Sequence, residues 1–370
     1  MLAAHGCTAL FDPDLVRKDG GFACGEARVP PRPTIADRTS GEDVWFAARR
    51  VELNLRELWM TTGLDLDDYC TEQQGSATEC RPREFNPDGD DLVDGAGGID
   101  NSYGHNIVEF ALLVDGTFAD RVNAGYEAGR GGLLIVLRGW NGDNDDPRVQ
   151  AILATSAVAT SSAPLAGGGI PVPDGGLVED LSPPDWDGTD WSWAASDGFV
   201  DGDPTRPAVQ DGNAYIAGGV LVVNVPADKY VVAGMPLTDV HLFGRIDAGR
   251  RSIQDLTLTG RWSVSDLLTE TARSCFGTTR RRLMQNRLDT SADVRSAPGT
   301  GGEDVVCDAV SVGLSYESVR VRIGGLTNPL APAPPFPDFC GIDGGVPSDG
   351  GVPSDGGIPS DAGVPLDAGP

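Results

Sequence analysis

Between Arg50 and Arg56 apolar and polar residues alternate: Val51, Leu53 and Leu55 are interleaved with Arg50, Glu52, Asn54 and Arg56. A strand sends successive side chains to opposite faces, so this period predicts a half-buried strand. Residues 133–137, LLIVL, form an unbroken apolar run suited to a central strand. Runs at 149–153, 214–225, 238–246, 256–262, 310–316 and 319–323 add further strands, most bounded by Gly, Pro, Asp or Asn. Seven or more short strands punctuated in this way predict a mainly β fold, a two-sheet β-sandwich of jelly-roll or concanavalin-like type.

Two segments break the β pattern. Ile107, Phe110, Ala111, Val114, Phe118 and Val122 recur at helical spacing, with Asp115-Gly116 as a breaking point. A second helix is expected after Ser263, where Asp266 three residues on forms a capping box, running toward Cys275. Both are expected to pack on the sheets.

The pattern stops at the C-terminus, where DGGVPS, DGGVPS, DGGIPS and DAGVPL follow one another from Asp343. Proline removes a backbone donor, glycine raises the cost of ordering, and one Asp per unit favours solvation, so a disordered tail is expected over 343–370. A proline-rich linker at 329–342 leads to it, and Pro30, Pro31 and Pro33 close an N-terminal segment, 1–33. The globular domain is expected over 34–328.

Charge narrows the partners. Lys+Arg 28 against Asp+Glu 55 gives a net charge of −27, which repels nucleic acid and anionic membrane surfaces alike. Lys18 and Lys229 are the only lysines, and with 50 glycines and 27 prolines this arginine bias points to a GC-rich bacterial genome. No apolar run approaches the roughly 18–20 residues that span a bilayer.

Seven cysteines point outside the cytoplasm. Cys7, preceded by Leu2, Ala3, Ala4, His5 and Gly6, fits a lipidation site at the end of an exported leader, whose true start is then expected further upstream. A single acyl chain holds a protein to a membrane only marginally, so stable attachment needs more. Cys24, Cys70, Cys80, Cys275, Cys307 and Cys340 make an even six without metal-site spacing, as expected of disulfides in an oxidising compartment. Six cysteines allow 15 connectivities. Local proximity favours Cys70 with Cys80 and Cys275 with Cys307, leaving Cys24 with Cys340.

Candidate chemistry lies in acidic loops. Asp88, Asp90, Asp94 and Asp100 fall in a glycine-rich stretch of the kind that surrounds calcium, a hard cation seeking six to eight oxygens, although Leu92 and Val93 break the EF-hand pattern. Asn141, Asp143, Asp145 and Asp146 form a second loop, and Asp185, Asp187 and Asp190 a third. Trp140, Trp186 and Trp191, with Asp187 and Asp190, are candidate sugar contacts: an indole stacks on a pyranose while carboxylates accept from its hydroxyls. The three histidines, His5, His105 and His241, sit in no catalytic motif, so no catalytic residue is assigned. Arg280, Arg281, Arg282 and Arg287 form a basic patch expected to pair with surface acids.

GLDLDDYC at 63–70, DGAGGIDNSYG at 94–104, RGWNGDNDDPRV at 138–149 and WDGTDWSW at 186–193 together resemble uncharacterised secreted proteins of myxobacteria. That resemblance implies an exported, often lipid-anchored protein with an acidic low-complexity segment and brings no site residues with it. The sequence therefore predicts an extracytoplasmic cell-envelope protein, an outer-membrane lipoprotein or a periplasmic or surface protein. Its role is non-catalytic, and its partner is a glycan or an envelope protein. The alternative is a secreted carbohydrate-active protein, binding module or hydrolase, stabilised by calcium. The rival requires loops 88–101, 140–146 and 185–193 to meet on one concave face.

Overall fold

The computed structural model describes residues 27–327, apart from 39–40, 54–57, 72–78, 84–91, 115, 163–181, 227, 233 and 274–277. Cys7, Cys24, Cys275, Cys340, Asp88, Asp90 and the segments 329–342 and 343–370 lie outside the described residues. The strands are β1 (Val44–Glu52), β2 (Cys80–Arg81), β3 (Gly132–Arg138), β4 (Asp146–Thr160), β5 (Trp191–Ala195), β6 (Gln210–Ala217), β7 (Val220–Asn224), β8 (Tyr230–Val232), β9 (Met235–Ile246), β10 (Ile253–Ser263), β11 (Gly302–Val306) and β12 (Ala309–Thr327). The α-helices are α1 (Glu109–Val114), α2 (Phe118–Glu127), α3 (Val264–Arg273) and α4 (Thr278–Ser291).

The two-sheet sandwich expected from the sequence is not what forms. β1, β3, β4, β6, β7, β9, β10 and β12 pair antiparallel in that order and β12 returns to β1, closing an eight-stranded barrel. Closure depends on two long strands that pair on both edges. β12, with 19 residues, meets β10 over 309–316 and β1 over 315–321, and β4, with 15, meets β3 and β6. The inward–outward alternation of a sandwich and of a barrel is the same, while closure leaves no edge to protect.

The interior is packed with side chains, as eight strands allow. Phe46, Ile135, Leu221, Leu242, Leu258 and Leu314 meet there. In β3 alternate residues divide between two faces: Leu133, Ile135 and Leu137 point into the barrel, while Leu134 joins Ala47, Ala154, Ala194, Phe199 and Val321 in a second cluster. That outer cluster forms because the far ends of β4 and β12 leave the barrel and are bridged by β5, antiparallel to β4 and parallel to β12. A strand covered on both faces reads as a continuous apolar run, which explains LLIVL.

The barrel ends are stopped differently. Where β1 finishes, a π-helical turn (Tyr103–Val108) runs into α1, and α2 follows after the break expected at Asp115-Gly116. Asn123 of α2 accepts from Val51 N at 2.8 Å and donates to Val51 O at 3.0 Å, satisfying a buried strand end. At the other end Trp140 closes the core, only 5 % exposed. Ser263 caps α3 as expected: its Oγ accepts from Asp266 N at 3.2 Å, and the Asp266 carboxylate reaches back to that hydroxyl, accepting from it at 2.7 Å, instead of to Ser263 N as in a full capping box. α4 was not anticipated, because its arginine-rich sequence carries no apolar stripe, although Met284 and Leu288 are buried. Within the basic patch, Arg287 donates to Asn106 O and to Asn106 Oδ1, which holds α4 against the π-helical turn.

Cys80 is bonded to Cys307, across 227 residues. This overturns both local pairings, Cys70 with Cys80 and Cys275 with Cys307. The physical reason is the parallel pairing of β2 with β11, which sets the two Cα atoms 5.2 Å apart. Cys70 is also disulfide-bonded. Crosslinking residues so distant removes much entropy from the unfolded chain, about 5 kcal/mol at most in the chain-entropy model. Replacing Cys80 and Cys307 together by Ala is expected to lower stability by about 2–5 kcal/mol, read as a reduced midpoint in denaturant against the oxidised parent.

Candidate functional site

Residues 58–71 and 92–102 form one assembly on the outer wall, over the start of β12. Gly95 N bonds Ile99 O at 2.8 Å and Ala96 N bonds Met60 O at 2.7 Å, turning the chain through Gly97 and Gly98 at φ 71° and 88°. Asn101 fixes this turn to the barrel: its amide donates to Thr62 O and Gly313 O, and its oxygen accepts from Gly104 N and Gly313 N. Gly313 permits the approach, since a Cβ there would sit 2.2 Å from Thr62 O.

Five carboxylates converge in this assembly: Asp65, Asp67, Asp94, Asp100 and Asp293. Oxygens of Asp65, Asp67 and Asp100 lie within 4.8 Å of one another. Asp100, buried, accepts from Leu66 N at 2.6 Å, and Asp94 from Thr71 N at 2.6 Å; the Asp94 and Asp100 side chains are themselves in hydrogen-bonding contact. Asp293 accepts from Ser311 N at 2.8 Å and from Ser311 Oγ. Gly98 leaves room beside them, where a Cβ would stand 3.2 Å from Tyr69 O and 3.4 Å from the Asp65 carboxylate.

Burial and mutual repulsion push these acids up. Desolvation is the largest cause throughout, followed for Asp100 by the charges of Asp67, Asp94 and Asp293. Asp94 is raised to about 8, Asp293 to about 7 and Asp65 to about 6, with Asp67 and Asp100 raised as well. Hydrogen bonds from Thr71 N and Ser311 offset part of the shift in Asp94 and Asp293.

Beside the acids runs a network that is compensated. The Arg261 guanidinium, 1 % exposed, donates to Glu79 at 2.7 Å, Asp239 at 3.1 Å, Arg295 O at 2.9 Å and Leu66 O. Burial works against its charge, but Glu79 and Asp239 outweigh it and hold the proton more firmly. Asp239, at φ 50°, also accepts from His241 Nε2 at 3.2 Å, and His241 Nδ1 lies 2.7 Å from Asn224 Oδ1. His105 stacks on Trp59 with ring centroids 4.1 Å apart.

Of the sequence-chosen metal ligands, the structure therefore brings Asp94 and Asp100 together. It adds Asp65, Asp67 and Asp293, which sequence reasoning missed; Asp65 and Asp67 were visible as the alternating acids of GLDLDDYC. Of the proposed sugar contacts, Asp187 and Trp191 line one groove on the side wall, and Trp140 stands apart from them. Trp140 is buried, donates to Asp143 O at 3.0 Å and carries Arg250 over its ring at 5.0 Å. Loop 140–146 is a closed turn in which Asp146 accepts from Asn141 N and Arg148 N, and it follows the end of β3. Asp190 is buried and accepts from Asp185 N, while Trp186, Asp187 and Trp191 lie on the side wall. No family model, curated protein or solved structure matches the chain.

Two outcomes follow. Arg261→Met is expected to cost about 3–5 kcal/mol in denaturant unfolding, because Glu79 is left buried without its cation. In a chelating buffer, stability is expected to be highest near pH 4 and to fall as pH rises through 6–8. The folded protein there holds protons that the unfolded chain, with carboxyl pKa values near 4, has already lost. Urea midpoints across this range check the sign.

Proposed function

We propose that the chain is a non-catalytic, exported barrel protein of the cell envelope, whose loop assembly over β12 is cemented by a divalent cation of calcium type. The observation that carries the reading is the set of carboxylate oxygens of Asp65, Asp67 and Asp100 within 4.8 Å, with Asp94 in contact with Asp100. Calcium is satisfied by several oxygens at once, from carboxylates and backbone carbonyls, and Tyr69 O faces the same space beside Gly98. A bound cation reverses the electrostatics of the centre: charges that repel become ligands.

The Cys80–Cys307 disulfide supports an oxidising compartment. A lipid anchor at Cys7 is part of the same proposal. The carbohydrate-active alternative is less well supported, since it needs the three acidic loops on one face, and residues 92–101 lie on the outer wall over the start of β12 whereas 140–146 follow the end of β3, with Trp140 buried.

The test is melting of the purified protein at neutral pH in chelator and in rising calcium. Calcium should raise Tm with saturation, by RT ln(1 + [L]/Kd) in free-energy terms. Asp100→Asn should abolish that rise while stabilising the chelated protein, because one repelling charge is removed. A Tm indifferent to calcium, magnesium and manganese in the parent sinks the reading.

A further inference from the structure

A groove of about 1000 Å³ opens on the side wall, where the end of β12 passes over β1 toward β5. Trp45, Trp191 and Phe199 supply its aromatic surface. Arg138, Arg251, Arg320 and Arg322 line it against three acids, Glu42, Asp43 and Asp187. This is a local surplus of positive charge in a chain whose net charge is −27.

Two of the arginines are engaged. Arg138 pairs with Asp43 at 2.9 Å, and Arg322 lies 5.5 Å over the Trp191 ring while its charge helps to lower the pKa of Asp187, held first by Thr189. Arg251 and Arg320 have no ion-pair partner among the described residues. Unpaired guanidinium groups beside flat aromatic rings suit an extended ligand carrying both carboxylates and apolar rings.

We propose that this groove docks the chain's own acidic, proline-bearing repeat at 343–370. Gly325 and Leu326 form part of the groove wall and β12 ends at Thr327, so the chain leaves the barrel from within the site. Residues 328–370 contain Asp338, Asp343, Asp349, Asp355, Asp361 and Asp367 and no Lys or Arg. Each complete DGGVPS or DGGIPS unit places a proline two residues before the next Asp, so a ring and a carboxylate recur together, the two chemistries that the aromatic and arginine residues of the groove receive. Extended proline-containing segments dock in aromatic-lined grooves at low entropic cost. The stretch from Thr327 to Asp343 can span up to about 50 Å, ample to fold back along the wall. Tethering holds the repeat at an effective concentration in the mM range, so weak contacts suffice.

The experiment uses the full chain carrying Arg320→Lys, coupled with a zero-length carbodiimide that joins an amine to a carboxylate. Lys18 and Lys229 are the only native lysines, so background is small. Peptide mapping of the monomeric fraction should show the new amine joined to tail aspartates. The product should be lost in high salt and in a variant with Asp343, Asp349, Asp355, Asp361 and Asp367 all changed to Asn. Coupling only to Glu42, Asp43 or Asp187, no coupling, equal coupling of the tail to Lys229, or tail products confined to dimers would each overturn the proposal. A dimer-only result would assign the groove to a second copy. None of these readouts depends on calcium, so the cation reading stands or falls separately.

Discussion

The buried guanidinium of Arg261 is the contact on which the outer assembly depends. β10 alone would turn this residue toward water. Instead, Leu66 O, Glu79, Asp239 and Arg295 O close around it, drawing together four segments from across the sequence. An arginine suits this task because its planar fork donates in several fixed directions at once, which a lysine cannot do. Glu79 in turn accepts from Arg295 N at 2.8 Å, and its neighbour Cys80 carries the disulfide. The long-range covalent crosslink and the buried ion network thus secure the same corner of the barrel.

The acid centre stands next to this network and has the opposite character. Glu79 and Asp239 are matched by a cation of the protein, whereas Asp94, Asp100 and Asp293 face chiefly one another. Two neighbouring clusters of buried carboxylates, one neutralised internally and one not, make an assembly whose stability depends on what the medium supplies. Protons and divalent cations are alternative occupants of that second cluster. The Asn101 bonds to β12 keep the loops registered on the barrel, whichever occupant is present.

Much of the fold was legible in the sequence. The strands at 133–137, 149–153, 238–246 and 256–262 lie within β3, β4, β9 and β10, and the predicted run at 214–225 is β6 and β7 joined through Gly218-Gly219, both at positive φ. The break between α1 and α2 and the Ser263 cap were also readable, since both are set by local residues. Closure was not, because it depends on which edges of β4 and β12 find partners, and the alternation of side chains carries no record of that. β5 escaped notice for a related reason: Trp191, Trp193 and their neighbours resemble an aromatic loop until β4 and β12 are in place on either side. The site was half legible. Asp94 and Asp100 belong to one glycine-rich stretch, but Asp65, Asp67 and Asp293 join them only through tertiary contacts. The disulfide was misjudged for the same cause, as sequence proximity is a poor guide once β2 and β11 pair across the chain.

The two strands that build both the barrel and its side cover have a mechanical consequence. β4 and β12 pass from the barrel wall into the layer joined by β5, and β12 supplies much of one wall of the side groove. Moving that wall would mean stripping ladder hydrogen bonds from a strand that also closes the barrel. The sheet side of the groove therefore offers its shape and charge already in place, and any adjustment to an occupant falls to the loops that complete the lining.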